Sequence, residues 1–183
     1  MKRTNPGRTK RNTLIFTVVV LAAGWIGRLL DLAAGADSGQ GPGLLLWILA
    51  PVATGLILRA AAGDGWKDFG IKPNLKGNGR WYALAVLFYP MIGITVLAGL
   101  SFGGITPRTD GLSPIAPFVA ALAVGLVPAF FKNIGEEFGW RGYLVPRLAG
   151  TGIKRWKLHL IVGAVWAGWH LPYLSTFWSA PNR

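Results

Sequence analysis

Five apolar stretches of about twenty residues divide the chain, and short polar or glycine-rich segments separate them. A helix needs about 20 residues to cross roughly 30 Å of hydrocarbon, because each residue adds about 1.5 Å. The pattern therefore predicts an all-α fold, a polytopic transmembrane helix bundle of about five spans. The predicted spans are residues 13–34, 43–62, 81–100, 115–134 and 158–178.

The polar connections between these stretches are too short for a soluble domain, and the longest polar ones, residues 63–80 and the stretch around 149–157, are predicted to be loops of one bundle. A signal peptide ending at residues 34–36 is the alternative for the first stretch, but Arg28 and Asp31 inside it favour a span. These two residues are three apart and are predicted to form an ion pair on one helix face, with an ion or proton pathway as the alternative.

The charges are placed as in a membrane protein. The chain has 19 basic and 7 acidic residues, and its net charge of +12 would suggest nucleic acid as a partner for a soluble protein. Most of the basic residues, however, fall in residues 2–11, 59–80 and 132–157, which share one side of the membrane if the five spans alternate. The positive-inside rule then predicts a multi-pass protein of the cell membrane, with a cytoplasmic N-terminus, an outer C-terminus and no nucleic-acid partner.

Two further features fall at the predicted cytoplasmic surface. Residues 66–73 mix aromatic and basic side chains and are interpreted as an interfacial anchor, with substrate contact as the alternative. His159 lies at the mouth of the fifth span and is interpreted as an interfacial residue. The chain has no cysteine, which excludes disulfides, thiolate metal ligands and a cysteine nucleophile.

Two adjacent carboxylates follow the fourth predicted span. Glu137 precedes Arg141 by four residues, the favourable order for an ion pair on a helix. Glu136 points about 100° away from that pair and is predicted to lack a local cation. A carboxylate without a cation partner suits a general base, which takes a proton from water and passes it to a leaving amine. The alternative is a surface helix with both glutamates in solvent.

A histidine lies inside the fifth apolar stretch. If the fourth and fifth spans form a hairpin, Glu137 and His170 lie at about the same distance from the turn at residues 149–157. Small residues are predicted to let the two helices approach closely. They are Gly135 and Gly139 on the first helix and Ala164 and Gly168 on the second. Trp166 precedes His170 by four residues, so it either forms an aromatic wall beside the imidazole or serves packing alone.

These residues resemble two signatures of one family. Glu136-Glu137-x-x-x-Arg141, continued to Leu144, is similar to the first signature of the CPBP family, the CAAX proteases and bacteriocin-processing (Abi) proteins. Trp166-x-x-x-His170 resembles the second. The resemblance divides the chain into three parts: residues 1–114, an N-terminal tail with three transmembrane helices; residues 115–178, a CPBP-like catalytic helical hairpin; and residues 179–183, a short tail.

The resemblance implies a role for each signature residue. Glu136 activates the hydrolytic water together with His170, and Glu137, Arg141 and Trp166 support the site. A divalent metal such as zinc, with Glu136 and His170 as ligands, is an alternative, although the sequence has no HExxH motif. A third family signature, a histidine followed four residues later by asparagine or aspartate, is missing from these 183 residues. Its absence implies either a truncated chain or a relative with weak or no activity.

The resemblance implies an intramembrane endopeptidase that hydrolyses peptide bonds of membrane-associated peptides or proteins, with the lipid bilayer as its environment. A non-catalytic membrane immunity or interaction protein of the same family is the first alternative. A transporter that uses the acid–histidine cluster as a proton relay is the second, although five spans without an internal repeat do not favour alternating access.

Overall fold

A computed structural model describes residues 6–36, 41–69, 74–104 and 115–179. Within these ranges the secondary structure is helical, without strands. The helices are α1 (Pro6–Ala33), α2 (Pro42–Ala61), α3 (Gly79–Phe102), α4 (Ile115–Gly139), α5 (Val145–Ala149) and α6 (Arg155–Ser179), with a π-helical turn at Trp140–Leu144 between α4 and α5. The predicted fold class, an all-α membrane helix bundle, is confirmed.

Each of the five predicted spans corresponds to a long helix, and three of these helices are long and apolar enough to cross a membrane within the described ranges. The three are Pro6–Ala33, Pro42–Ala61 and Gly79–Leu100. Helices α4 and α6 also form where spans were predicted, but they are not among the three. The protein is therefore a membrane protein, and the number of spans and the orientation of the termini stay predictions.

The chain divides into two compact units. The first comprises Met1–Gly70 and Phe130–Arg183, and the second comprises Ile71–Ala129. In the second unit, the apolar side chains of α3 are exposed, as Leu84, Val86 and Ile94 show. Such a surface suits contact with hydrocarbon rather than water. The first unit contains all of the predicted site residues and is described below.

Helices α1 and α2 form an antiparallel hairpin that is closed by hydrogen bonds at both ends. At one end Asn12 donates through Nδ2 to the Ala62 carbonyl, over 3.2 Å. At the other end the Gly43 N–H donates to Asp31 Oδ1, over 2.7 Å. Each bond satisfies a backbone group at an end of α2 that has no partner inside the helix. Between them, Gly27 and Gly43 let the two backbones touch.

Asp31 does not form the ion pair with Arg28 that the sequence predicts. Its two carboxylate oxygens accept hydrogen bonds from the Gly43 N–H and from the Tyr173 hydroxyl, the latter over 2.9 Å. The N-terminus of α2 competes successfully for the carboxylate, because its free N–H groups and the positive end of its dipole favour an acid there. The predicted Arg28–Asp31 ion pair is therefore wrong, and Asp31 ties α1, α2 and α6 together.

A pair of reciprocal hydrogen bonds joins α2 to α6. Trp47 donates through Nε1 to the Trp169 carbonyl over 2.8 Å, and Trp169 donates through Nε1 to the Trp47 carbonyl over 3.2 Å. The Trp47 carbonyl has no donor within its own helix, because the residue four positions later, Pro51, lacks an N–H. The two indole rings stack with centroids 4.5 Å apart. The aromatic pair therefore packs the two helices together and also supplies the Trp47 carbonyl with the hydrogen-bond donor that Pro51 lacks.

Candidate active site

Glu136 lies in the last turn of α4 and is only 7% exposed. Its carboxylate forms an ion pair with the ammonium group of Lys132, one helical turn earlier. The prediction that Glu136 lacks a local cation is therefore wrong. The i, i+4 rule that pairs Glu137 with Arg141 applies equally on the N-terminal side of Glu136. Lys132 balances the charge of a carboxylate that is nearly inaccessible to solvent.

Glu137 and Arg141 form the predicted ion pair. Their side chains are 50% and 71% exposed, so solvent screens the attraction. Exposed pairs of this kind contribute about 0.2–1 kcal/mol to stability. The pair therefore lies at the rim of the site, and Glu136 is the buried member of the two carboxylates.

The first signature runs into the π-helical turn at Trp140–Leu144, where the Val145 N–H donates to the Trp140 carbonyl. Pro146 has no N–H to donate to the Gly142 carbonyl, four residues earlier. The guanidinium of Arg59, from α2, donates to this carbonyl instead. Single π-turns inside helices occur frequently at functional sites. Here the turn is held by a side chain from another helix.

Arg59 belongs to a cluster of charged residues that sequence reasoning missed. Besides Gly142 it binds the Gly65 carbonyl at 2.5 Å and Asp68 Oδ1 at 2.7 Å. Arg147 pairs with Asp68 and lies 3.7 Å from Asp64. The loop between α2 and α3 is thereby attached to the segment that follows the two glutamates. Both arginine side chains are almost fully buried, so the cluster is internal rather than interfacial.

Tyr143 completes this attachment. Its hydroxyl donates to Asp64 Oδ2 over 2.6 Å. Burial, reinforced by this hydrogen bond, raises the pKa of Tyr143 above its ordinary value, so the hydroxyl stays a donor. Next to it, Phe69 stacks on Phe138, with centroids 5.3 Å apart. Residues 62–69 therefore support α4 and the π-helical turn; the interfacial role predicted for residues 66–73 stays a prediction, and residues 70–73 lie outside the described ranges.

One signal in the sequence would have pointed to this cluster. Acidic residues are scarce, with seven in the whole chain, and two of them lie four apart at Asp64 and Asp68. Membrane proteins pair buried charges with one another, so scarce acids near basic segments indicate internal partners. The partners of these two acids do not follow from the sequence. Tyr143 lies 79 residues after Asp64, and Arg147 lies 79 residues after Asp68.

His170 lies on α6 in an aromatic surround. Its Nδ1 is 2.9 Å from the Trp166 carbonyl oxygen, which can only accept a hydrogen bond. Nδ1 therefore carries the proton, and in the neutral ring Nε2 keeps its lone pair. The Trp166, Trp169 and Trp47 rings lie with centroids 4.3, 4.6 and 5.6 Å from the imidazole. Trp166 thus contacts His170, as its spacing suggested, and is itself 45% exposed.

The two signature segments meet through a pair of tryptophans. Trp140, in the π-helical turn, packs edge-on against Trp169, the residue before His170, with ring centroids 5.5 Å apart. Both rings are at most 2% exposed. Phe16 of α1 bridges from Trp140 to Tyr143, at 5.8 and 5.0 Å between centroids. A continuous aromatic core therefore links the turn after Glu136 to the helix that carries His170.

The small residues of the two signatures do not face each other. A Cβ at Gly139 would lie 2.4 Å from Cβ of Pro51, in α2, and one at Gly168 would lie 3.2 Å from Leu21, in α1. The expected close contact between the two small-residue steps is therefore wrong. The end of α4 contacts α2 at Pro51, and α6 packs on α1. No hydrogen bond between Glu136 and His170 occurs among the described contacts.

Residues 117–181 match the model of a protein family described as Rce1-like, type II CAAX prenyl endopeptidase Rce1-like. We call residues 117–181, which are similar to this family, the Rce1-like segment. The match confirms the resemblance to the CPBP family, and it includes both signatures. No curated protein and no solved structure matches the chain. The Rce1-like segment begins within α4 and includes all of α6, whereas Arg59, Asp64 and Trp47 lie outside it.

The described part of the Rce1-like segment does not gather a metal-binding cluster. No group of three or more histidine, aspartate or glutamate side chains lies close enough to hold an ion within the described ranges. Glu136 and His170, the two ligands considered from the sequence, do not supply such a set.

The contact between Gly139 and Pro51 gives a first prediction. Gly139→Ala is expected to lower the free energy of unfolding by about 1–2 kcal/mol, because the new methyl group would lie 2.9 Å from a backbone carbon of α2. Gly135→Ala is the matched control, since its Cβ would meet only Val52, at 3.7 Å. Unfolding in detergent micelles by titration with sodium dodecyl sulfate measures the stability of both variants. Equal stability of the two variants would contradict the prediction.

Proposed function

We propose that the protein is an intramembrane endopeptidase of the CAAX-protease type, which hydrolyses a peptide bond in a membrane-associated peptide or protein. The Rce1-like segment supports a relationship to proteases. The observation that carries the proposal is the Trp140–Trp169 contact at 5.5 Å, since it holds the turn after Glu136 against the residue beside His170. The turn after Glu136 and the residue before His170 thus belong to one buried aromatic core.

In the proposed reaction Glu136 is the general base. Its carboxylate takes a proton from a water molecule, and the water oxygen forms a bond to the carbonyl carbon of the scissile peptide. The proton then passes to the amide nitrogen, the C–N bond breaks, and the amine leaves. Glu136 suits this role because it is 7% exposed, while its neighbour Glu137 is open to solvent. Lys132 balances the charge of the base between turnovers.

His170 is proposed to stabilise the negative charge that develops on the carbonyl oxygen. The imidazole donates from Nδ1 to the Trp166 carbonyl, so the other nitrogen, Nε2, is the one available to the reacting groups. Nε2 of a protonated ring donates to an oxyanion, and Nε2 of a neutral ring accepts from water. The surrounding indole rings restrict solvent, which strengthens either interaction. Glu137 and Arg141 are proposed to support the rim of the site.

The test is proteolysis by the purified chain in liposomes, with peptides that carry a prenylated cysteine near the C-terminus and with the same peptides lacking the lipid. Glu136→Ala and His170→Ala are expected to lower cleavage at least about a hundredfold each, as for removal of a catalytic acid–base group. His159→Ala is the matched control, because this side chain is exposed in the structure and has no role in the proposed reaction.

The outcomes separate the candidate functions. Cleavage that disappears in Glu136→Ala and His170→Ala but persists in His159→Ala supports the endopeptidase. Intact peptides with a well-folded wild-type chain would overturn the proposal and favour a non-catalytic membrane protein. Cleavage that depends on the prenyl group would identify the substrate class as lipidated peptides.

A further inference from the structure

Trp47 of α2 lies outside both signatures and outside the Rce1-like segment, yet it contacts the residues around His170. The Trp47 side chain is 7% exposed. Its indole ring stacks on Trp169 and on Tyr173, in each case with 4.5 Å between centroids, and it meets the imidazole of His170 edge-on at 5.6 Å. Trp47 therefore contacts the residues immediately before and one turn after His170 as well as the histidine itself.

Two hydrogen bonds fix the position of Trp47 relative to α6. Its Nε1 donates to the Trp169 carbonyl, and its own carbonyl accepts from the Trp169 indole. Because Pro51 removes the donor for the Trp47 carbonyl, the second bond has no competitor within α2. A buried polar group with a single partner costs about 1–3 kcal/mol when that partner is lost, so this geometry is strongly preferred. Trp47 is thus rigid with respect to α6.

The imidazole of His170 is restrained mainly by the aromatic rings around it. It is only partly buried, and the hydrogen bond described for it is to the Trp166 carbonyl within its own helix. Trp166 is 45% exposed and so is a weaker support than the buried rings of Trp169 and Trp47, whose centroids lie 4.6 and 5.6 Å from the imidazole. Trp169 is itself held by Trp47 through stacking and two hydrogen bonds, so the rotamer of the imidazole depends on Trp47 both directly and through Trp169.

We propose that Trp47 is a positioning residue for His170: its buried indole holds the imidazole in the orientation in which Nδ1 donates to the Trp166 carbonyl and Nε2 stays available. The catalytic importance of this orientation rests on the proposed function, whereas the orientation itself can be tested without substrate. It extends the candidate site from the Rce1-like segment to α2.

The test uses the fact that the chain has two histidines. Long-range proton–nitrogen correlation spectra of chain labelled with ¹⁵N at histidine, in micelles, report the tautomer of each ring, and His159→Gln assigns the signals. The wild-type chain is expected to show His170 in the Nδ1–H form. Trp47→Phe, which keeps a ring but removes the Nε1–H donor and the outer edge of the indole, is expected to add a second set of His170 signals from the Nε2–H form.

Two controls separate positioning from general destabilisation. Trp25→Phe changes an exposed tryptophan of α1, and Leu58→Ala removes a core side chain of α2 at 5% exposure. Both are expected to leave the His170 spectrum unchanged, although Leu58→Ala lowers the melting temperature. A His170 spectrum in Trp47→Phe identical to that of the wild type would overturn the proposal, and so would a wild-type chain without the Nδ1–H form. Since no substrate is needed, these results are independent of whether the chain cleaves peptides.

Discussion

Replacement of Arg59 by methionine is expected to lower the free energy of unfolding by about 3–5 kcal/mol, because two backbone carbonyls lose a charged donor and hydrogen bonds to charged groups contribute about 1.5–3 kcal/mol each. The guanidinium is fully buried and serves three acceptors, the Gly65 carbonyl, Asp68 and the Gly142 carbonyl. Methionine fills a similar volume but donates nothing. The Gly142 carbonyl would then lose its side-chain donor.

The local consequence of Arg59→Met is a looser loop. Residues 62–69 are tied to the π-helical turn through Arg59, and Lys67 within this loop is exposed. Trypsin is therefore expected to cleave after Lys67 faster in Arg59→Met than in the wild type, under conditions that leave both folded. Arg59→Lys keeps the charge but lacks the planar fork that reaches several acceptors, so an intermediate loss is expected.

Unfolding by sodium dodecyl sulfate, followed by tryptophan fluorescence, measures the stability of these variants. Arg155→Met is the matched control, because Arg155 is exposed at the start of α6 and such substitutions change stability by about 0.5 kcal/mol or less. If Arg59→Met and Arg155→Met unfolded at the same concentration of sodium dodecyl sulfate, the interpretation of the cluster as an internal attachment would be rejected.

The second large effect is expected at the crossing of α1 and α2. A Cβ at Gly43 would lie 1.8 Å from the Gly27 carbonyl oxygen and 2.7 Å from Asp31 Oδ1. Backbone atoms cannot rotate out of the way, so Gly43→Ala forces the two helices apart. The shift also breaks the bond between the Gly43 N–H and Asp31. We expect a loss of about 3 kcal/mol or more, at or beyond the upper end of the usual overpacking range.

Gly163→Ala provides the control for Gly43→Ala. Gly163 lies in the interior of α6, and a Cβ there would meet no atom within 4 Å. The replacement is expected to raise stability by up to about 1 kcal/mol, since alanine favours a helix over glycine by that amount. The two alanine variants should therefore move the unfolding midpoint in opposite directions. A shift in the same direction for both would contradict the proposed contact.

The sequence predicts those features of the first unit that depend on neighbours in the chain. Apolar stretches near twenty residues identify the helices, and the i, i+4 spacing identifies the pair Glu137–Arg141 and the contact of Trp166 with His170. The same spacing also relates Lys132 to Glu136, one turn before the glutamates, and so is sufficient to predict that ion pair. Local spacing is thus sufficient for contacts within one helix.

Contacts between helices are harder to predict. Gly139 and Gly168 indicate that another helix approaches closely, but a missing side chain does not identify the neighbour, and the structure supplies Pro51 and Leu21. The spacing of Arg28 and Asp31 within one span predicts an ion pair, whereas the partners of Asp31 are the start of α2 and Tyr173. Such contacts depend on the packing of segments distant in sequence, which periodicity alone does not encode.

The proline at position 51 has a consequence for the synthesis of the chain. The carbonyl of Trp47 finds its donor on Trp169, which is made 122 residues later. When α2 first enters the bilayer it therefore carries a peptide oxygen without a partner, at a depth where an unsatisfied group costs several kcal/mol. Until α6 packs against α2, this oxygen must accept a hydrogen bond from water or from the insertion machinery. The Trp47 carbonyl of α2 therefore gains its donor only after Trp169 has been synthesised.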